Sequence, residues 1–398
     1  MNTKITVIDS LMGSGKSSWA IQGMNEDSDG SYVYITPFLS EVQRIKDNCP
    51  SKKFVEPKNF GKGKLDSFNE LLKKNKNISS THALFKMADE DTKDLIKAND
   101  YTLILDEVMD VVTQIHMKKD DLPSLLELKL ITIHENGVVT WNDEDYDGEY
   151  NHIKTMCKNN SVFMVNNCLL MWTFPVEVFK SFKKVYVLTY MFNGQIQRYY
   201  YDLYNVGYEY KSIAFNNELN KYGIVEYIDK YDLSDVRKLV NLISDNDKLN
   251  LVGDDKYAFS KSWLSRKELM YPTVVKNLEN YFRNRCNGKT KDNMWATFKD
   301  YKTNLSGCRY TKGFVSLGSR ATNDYVDKKN LAYCANIFLN PIIENFFTMN
   351  NVKVDEDTYA LSELIQWIWR SQIRRGDEIN LYIPSSRMRN IFLKWLEY

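Results

Sequence analysis

A short run at residues 5–8, apolar except for Thr6, leads through the glycine turn Gly13-Ser14-Gly15 into Lys16-Ser17 and a helical pattern. A buried strand that turns within a few residues into a helix commits the chain to a strand–loop–helix unit. Such units assemble into parallel sheets covered by helices on both faces. Further apolar runs at residues 32–35, 103–105 and 185–188 alternate with helical periodicity, as a parallel α/β fold requires. This first half is expected to span residues 1–195.

The remainder, residues 196–398, reads as a second α/β half. Tyrosine-rich alternation at residues 199–210 and again at 223–227 predicts strands. Helices are expected around residues 235–244, 272–283 and 359–374, and strands at 312–317 and 379–383. Two halves of this size account for nearly all of the 398 residues, leaving no room for a large specificity domain.

The turn itself carries chemistry. Gly13, Ser14 and Gly15 let backbone N–H groups close around phosphate oxygens, and the helix that follows adds positive potential at its N-terminus. Lys16 would neutralise β- and γ-phosphates, Ser17 would hold Mg2+, and Ser18 continues the helix beside them. Ser10 stands where such loops usually begin with glycine. About 90 residues later, the apolar run at 103–105 ends in Asp106-Glu107. In a parallel sheet the C-terminal strand ends line the ligand crevice. Asp106 is thus expected to hold Mg2+ through water, and Glu107 to take a proton from water attacking the γ-phosphate.

Charge and cysteines narrow the partners. The chain has 53 Lys and Arg against 52 Asp and Glu, which excludes a wholly basic coat protein. A local basic groove remains compatible with that balance. Residues 52–76 carry 8 lysines against 3 acids and read as a basic surface loop. The six cysteines form no CxxC pair, so a zinc site is not expected. Scattered thiols fit a reducing cytoplasm. The N-terminus has no signal-peptide shape. The apolar stretch at 161–175 is too short to span a bilayer, so no membrane association is expected.

Asp106-Glu107-Val108-Met109 resembles motif II of superfamily 2 helicases, the DEAD/DEAH-box-like group. Other segments agree in order. Thr36-Pro37-Phe38-Leu39-Ser40-Glu41 is similar to motif Ia, and Ser80-Thr81-His82-Ala83-Leu84-Phe85 to the next substrate-side motif. Leu188-Thr189-Tyr190-Met191-Phe192 falls at motif III without its usual Ser-Ala-Thr form. Arg320-Ala321-Thr322-Asn323-Asp324-Tyr325 resembles motif V. The segment Gln366-Trp367-Ile368-Trp369-Arg370-Ser371-Gln372-Ile373-Arg374 resembles motif VI, and the ending Tyr382-Ile383-Pro384-Ser385-Ser386-Arg387-Met388 resembles phage-encoded DNA helicases of this type. The resemblance spans residues 5 to about 389. The chain begins about ten residues before the phosphate loop, which leaves no room upstream for the glutamine motif that selects adenine in DEAD-box proteins.

The resemblance implies two tandem RecA-like phosphate-loop NTPase domains with parallel central sheets, and ATP and Mg2+ as cofactors. It implies nucleic-acid contacts at Thr36, Thr81 and His82, and at Thr322 and Asn323. Lys58, Lys62, Lys64 and the basic run from Arg283 to Lys289 are further backbone-binding candidates. On one continuous helix Gln366, Arg370 and Arg374 would share a face, from which a guanidinium would reach the γ-phosphate. Arg370, Arg374 and Arg375 all remain candidates for that finger. The implied activity is a Mg2+-dependent ATPase working as a DNA helicase or translocase in phage replication or recombination, on single-stranded or forked DNA and with replication proteins. The alternative is a nucleotide-gated binding or loading protein that does not unwind. A packaging motor would need a C-terminal nuclease with clustered acids, and residues 359–398 carry an arginine-rich helix pattern in that place.

Overall fold

The computed structural model describes residues 3–59, 61, 63–166, 168–318 and 324–397. The chain forms two compact units. The first comprises Met1–Ser10, Ser14–Tyr227 and Asn340–Val354; the second comprises Leu11–Gly13, Ile228–Leu339 and Asp355–Tyr398. The first unit therefore continues past residue 195 and takes back a segment from deep in the second half.

Strands of the first unit are β1 (Lys4–Asp9), β2 (Tyr32–Thr36), β3 (Ile78–Thr81) and β4 (Thr102–Asp106), then β5 (Val112–Ile115), β6 (Ile131–Ile133), β7 (Val139–Trp141), β8 (Val162–Val165) and β9 (Leu169–Thr173), and finally β10 (Lys184–Thr189), β11 (Tyr208–Asn216) and β12 (Lys221–Glu226). The main sheet runs β12-β11-β1-β10-β4-β2-β3. All its pairings are parallel except β11 with β12. Ile5, Val7 and Ile8 are buried, as are Val33, Tyr34 and Ile35. Sheets covered on both faces demand such continuous apolar runs, and each buried aliphatic side chain stabilises the fold by about 1.5–3 kcal/mol.

Between β4 and β10 the chain builds a separate small lobe. It holds a three-stranded antiparallel sheet, β5-β9-β8, and the hairpin β6-β7. Its own core gathers Leu122, Leu125, Ile131, Val139 and Ile153. The sequence reading did not anticipate this lobe. Its strands are short, and its apolar residues read equally well as connecting segments.

The tyrosine-rich stretch divides. Ile196–Leu203 is a helix, with Tyr199, Tyr200 and Tyr201 fully buried, and only from Tyr208 does the backbone extend. Three successive buried rings fit a helix enclosed on several sides, against the alternation expected of a strand. The basic segment 52–76 is not simply a loop. Lys64–Lys73 is helical, and Lys52 is buried, donating to the Gly30 carbonyl at 2.9 Å.

The second unit carries β13 (Val240–Leu242), β14 (Asn293–Ala296), β15 (Asn330–Tyr333) and β16 (Ile379–Tyr382). They form an all-parallel sheet in the order β13-β16-β15-β14. Residues expected as a strand at 312–317 contribute only a single bridge, Phe314 to Trp295, after a tight turn at Thr311–Gly313. The backbone of Gly313 lies so close to Asn293 that a Cβ there would come within 2.2 Å of the Asn293 carbonyl oxygen.

Candidate functional site

The strand order sets the site. β1, which carries the glycine turn, and β4, which carries the acid pair, flank β10. In register, Asp9 faces Thr189 and Leu188 faces Asp106. The C-terminal tips of these three strands thus converge on one edge.

At the loop, Gly13 has φ +82° and Gly15, which caps the helix Lys16–Glu26, has φ +94°. Only glycine adopts these values readily. Ser10 needs no such freedom. It is fully buried, and its hydroxyl accepts the Ile213 N–H at 2.9 Å, tying the loop's base to β11. The missing glycine at this position is therefore a structural substitution with its own bond. Lys16 folds over the loop and donates from Nζ to the Ser10 carbonyl at 2.6 Å. The buried hydroxyl of Ser14 has no hydrogen-bond partner among the described residues. Ser18 is exposed.

Across β10, Asp106 spans two neighbours. Its Oδ1 lies 3.5 Å from the Ser17 hydroxyl, and its Oδ2 accepts from the Tyr34 hydroxyl at 2.9 Å. Burial, and then the neighbouring charge of Glu107, push the Asp106 carboxyl up to about 7. Glu107 sits in the left-handed region at φ +62°, its N–H bonded to the Leu188 carbonyl at 2.9 Å. Such a conformation costs a non-glycine residue about 1–2 kcal/mol and is retained where the surroundings enforce it. Serine hydroxyl and carboxylate oxygen are hard donors that suit Mg2+. A cation there would also reverse the burial penalty on Asp106. The donor set fits the metal expected from the sequence.

Several contributors were not anticipated. Asp9 receives the N–H groups of Met191 and Phe192 at 2.8 and 2.9 Å, fixing the turn that follows β10. Tyr34 orients Asp106. Thr189 is fully buried at the β10 tip, with a hydroxyl that has no hydrogen-bond partner among the described residues. The signal available for each was its place at or near a strand end, which alone does not separate a site residue from a strand terminator.

The expected nucleic-acid contacts fare differently. Thr36 is completely buried, so it presents no hydroxyl to a backbone outside. His82 is 8% exposed and its Nε2 lies 3.0 Å from the Asp106 carbonyl, which makes it a support for the acid strand. Thr81 caps the helix His82–Phe85 by accepting the Leu84 N–H. Thr322, Asn323 and Lys62 lie outside the described residues.

In the second unit the shared face of Gln366, Arg370 and Arg374 does not form. The helix Glu356–Ile368 stops before Arg370, and Arg374 belongs to the separate turn Gln372–Arg375. Ser371 supplies the reason. Its N–H and its hydroxyl both donate to the Ile368 carbonyl, at 3.0 and 2.7 Å, and a serine that bonds the backbone locally competes with helix propagation. Arg370 is buried and donates to the Ser316 carbonyl at 3.5 Å. Arg375 pairs with Asp327 at 3.0 Å, while Arg374 is exposed and Gln366 half-buried.

The strand order and the loop define the first unit as an α/β fold of RecA-like type, and the parallel sheet of the second belongs to the same class. Family models match twice: the YonV middle domain over residues 112–172, which is the inserted lobe, and the YonV C-terminal Rossmann-like domain over residues 234–396. The SPbeta prophage-derived uncharacterized protein YonV of Bacillus subtilis (strain 168) is 43% identical over 409 residues, covering 99% of each chain. The chain belongs to the YonV family. Similar solved structures include an XPD helicase (9% identical, TM-score 0.46, covering 100% of this chain and 95% of the other) and S. tokodaii Xpd4 (13% identical, TM-score 0.45, covering 98% and 94%). No helix among the described residues is long and apolar enough to cross a membrane.

Proposed function

We propose that this protein is a Mg2+-dependent ATPase that acts on DNA as a helicase or translocase in phage replication or recombination. The observation that carries the reading is the meeting of Lys16, Ser17 and Asp106-Glu107 at the tips flanking β10. The Ser17 hydroxyl and Asp106 would hold Mg2+, which supplies charge neutralisation at the β- and γ-phosphate oxygens. Lys16 exchanges its bond to the Ser10 carbonyl for a phosphate oxygen. The loop N–H groups bind the phosphates. Glu107, turned out of the strand by its left-handed backbone, accepts the proton of the water that attacks the γ-phosphorus, and ADP leaves. Tyr34 and His82 keep the acid strand in position.

The burial of Thr36 and His82 favours a second reading, a nucleotide-gated nucleic-acid or replisome loading protein without unwinding. ATP hydrolysis measured alone and with single-stranded DNA, duplex DNA or RNA separates the two. Stimulation by DNA is expected; turnover indifferent to all three polymers, together with nucleotide-dependent DNA binding, would replace the first reading by the second. Glu107→Gln is expected to lower turnover by about 10²–10⁴-fold while still binding ATP. Normal hydrolysis by that variant would remove Glu107 from its role as the base.

A further inference from the structure

An aromatic ring covers the phosphate loop from the side away from the acid pair. Tyr222 lies on β12, and a Cβ built on Gly15 would fall 2.0 Å from its Cε1, so the ring rests directly on the Gly15 backbone. The contact is held from several directions. Gln22, on the helix that Lys16 opens, donates to the Tyr222 carbonyl at 3.2 Å and accepts the Tyr222 N–H at 3.1 Å. Lys221 pairs with Glu26 of the same helix. Phe215, the cross-strand partner of Tyr222, meets its ring edge-on at 4.9 Å and 66°. Tyr222 is half-buried and Phe215 remains 45% exposed, so the pair offers aromatic surface beside the loop on which a planar ligand can stack.

The direction of a bound nucleotide follows from the sheet. Asp106 and Glu107 lie on one side of β1, beyond β10, and β11 and β12 lie on the other. A triphosphate held by the loop with its γ-end at the acids must send its nucleoside end toward β11 and β12, where Tyr222 stands. We infer that Tyr222, braced by Phe215, is the stacking platform for the nucleoside of the bound triphosphate. The inference rests on the nucleotide reading of the loop given above. Every base offers a π-face, so a ring of this kind binds the nucleoside without reading hydrogen-bond identity.

The test uses the full-length chain with Mg2+ and two probes, ATP and inorganic tripolyphosphate, titrated by calorimetry. Tripolyphosphate reports the loop alone. Tyr222→Ala is expected to weaken ATP about ten-fold and to leave tripolyphosphate unchanged, while Tyr222→Phe retains ATP binding. Phe215→Ala, which leaves the loop contact in place, is expected to weaken ATP by a smaller factor. Unchanged ATP affinity in Tyr222→Ala, or equal weakening of both probes, overturns the platform and leaves the ring a packing support for Gly15. If the wild-type chain binds neither probe, the nucleotide reading of the loop falls, and the platform with it.

Discussion

Two rows of polar side chains cross the two parallel sheets, and they are treated in opposite ways. In the first unit the row runs along the C-terminal strand tips through Asp9, Thr189, Asp106 and Thr36. Here the buried hydroxyls of Thr189 and Thr36 have no hydrogen-bond partner among the described residues, a carboxyl is held out of its usual range, and Glu107 carries backbone strain. In the second unit asparagines occupy one register across all four strands: Asn241, Asn380, Asn330 and Asn293. Asn380 donates to Asn330 and Asn330 to Asn293, each at 2.9 Å, and Asn293 donates on to the Arg309 carbonyl at 3.1 Å. Gly288 leaves space for this ladder, since a Cβ there would come 2.2 Å from the Asn330 amide nitrogen. A buried polar row that satisfies itself fixes strand register. One whose hydroxyls lack partners among the described residues, as Thr189 and Thr36 do at the strand tips, is poised for something that arrives later.

The contrast can be broken by substitution, and the largest effect is expected at Lys16. Lys16→Ala should lower MgATP affinity at least ~100-fold, because it removes the charge-assisted contact to phosphate. Its denaturation midpoint should move far less than its nucleotide affinity, since the bond from Nζ to the Ser10 carbonyl lies at a partly exposed loop. A large loss of stability would mean that Lys16 belongs to the scaffold. Asn330→Ala should do the reverse. It strands the Asn293 side-chain oxygen Oδ1 and the Asn380 side-chain amide, and should cost about 3 kcal/mol in urea unfolding with nucleotide affinity intact.

Next comes pH. The Asp106 carboxyl titrates near 7 in the folded chain and near 4 when unfolded. Its protonated form therefore favours folding fully below about pH 4, and that contribution is lost as pH rises toward 7. Without Mg2+, the wild type should lose about 2 kcal/mol relative to Asp106→Asn between pH 4.5 and 7.5, after allowance for partial exposure. Parallel pH curves for the two proteins would contradict the burial penalty. The smallest change in stability is expected for Thr189→Val, within about 0.5 kcal/mol of wild type, because the hydroxyl it removes has no hydrogen-bond partner among the described residues. If the tip row is functional, turnover should nonetheless fall at least ~10-fold.

Much of this arrangement is legible in the chain. Mostly apolar runs bounded by turns mark β1, β2, β4 and β10 because strands buried on both faces leave few polar positions before their tips. The glycine turn and the acid pair are readable for the same reason that they are placed together: both sit where such runs end. What was not legible depends on contacts distant in sequence. Ser10 reads as a defect in the loop until Ile213 is seen to bond it. Arg370 and Arg374 look helical by spacing, and it is the local bonds of Ser371 to the Ile368 carbonyl that accompany the end of that helix. The inserted lobe hides because strands of three to five residues give too short a period to register.

The segment Asn340–Val354 that returns to the first unit imposes an order in time. Its helix, Pro341–Met349, buries Phe346 and Phe347, which meet Phe163 of the inserted lobe and Tyr199. A ribosome that has finished Tyr227 has made every strand of the first sheet but not the helix that covers these rings. At bacterial or eukaryotic synthesis rates the gap is on the order of ten seconds. During that interval the apolar surface around Phe163 and Tyr199 lies open in the nascent chain, and the last piece of the first unit arrives only after most of the second has been translated.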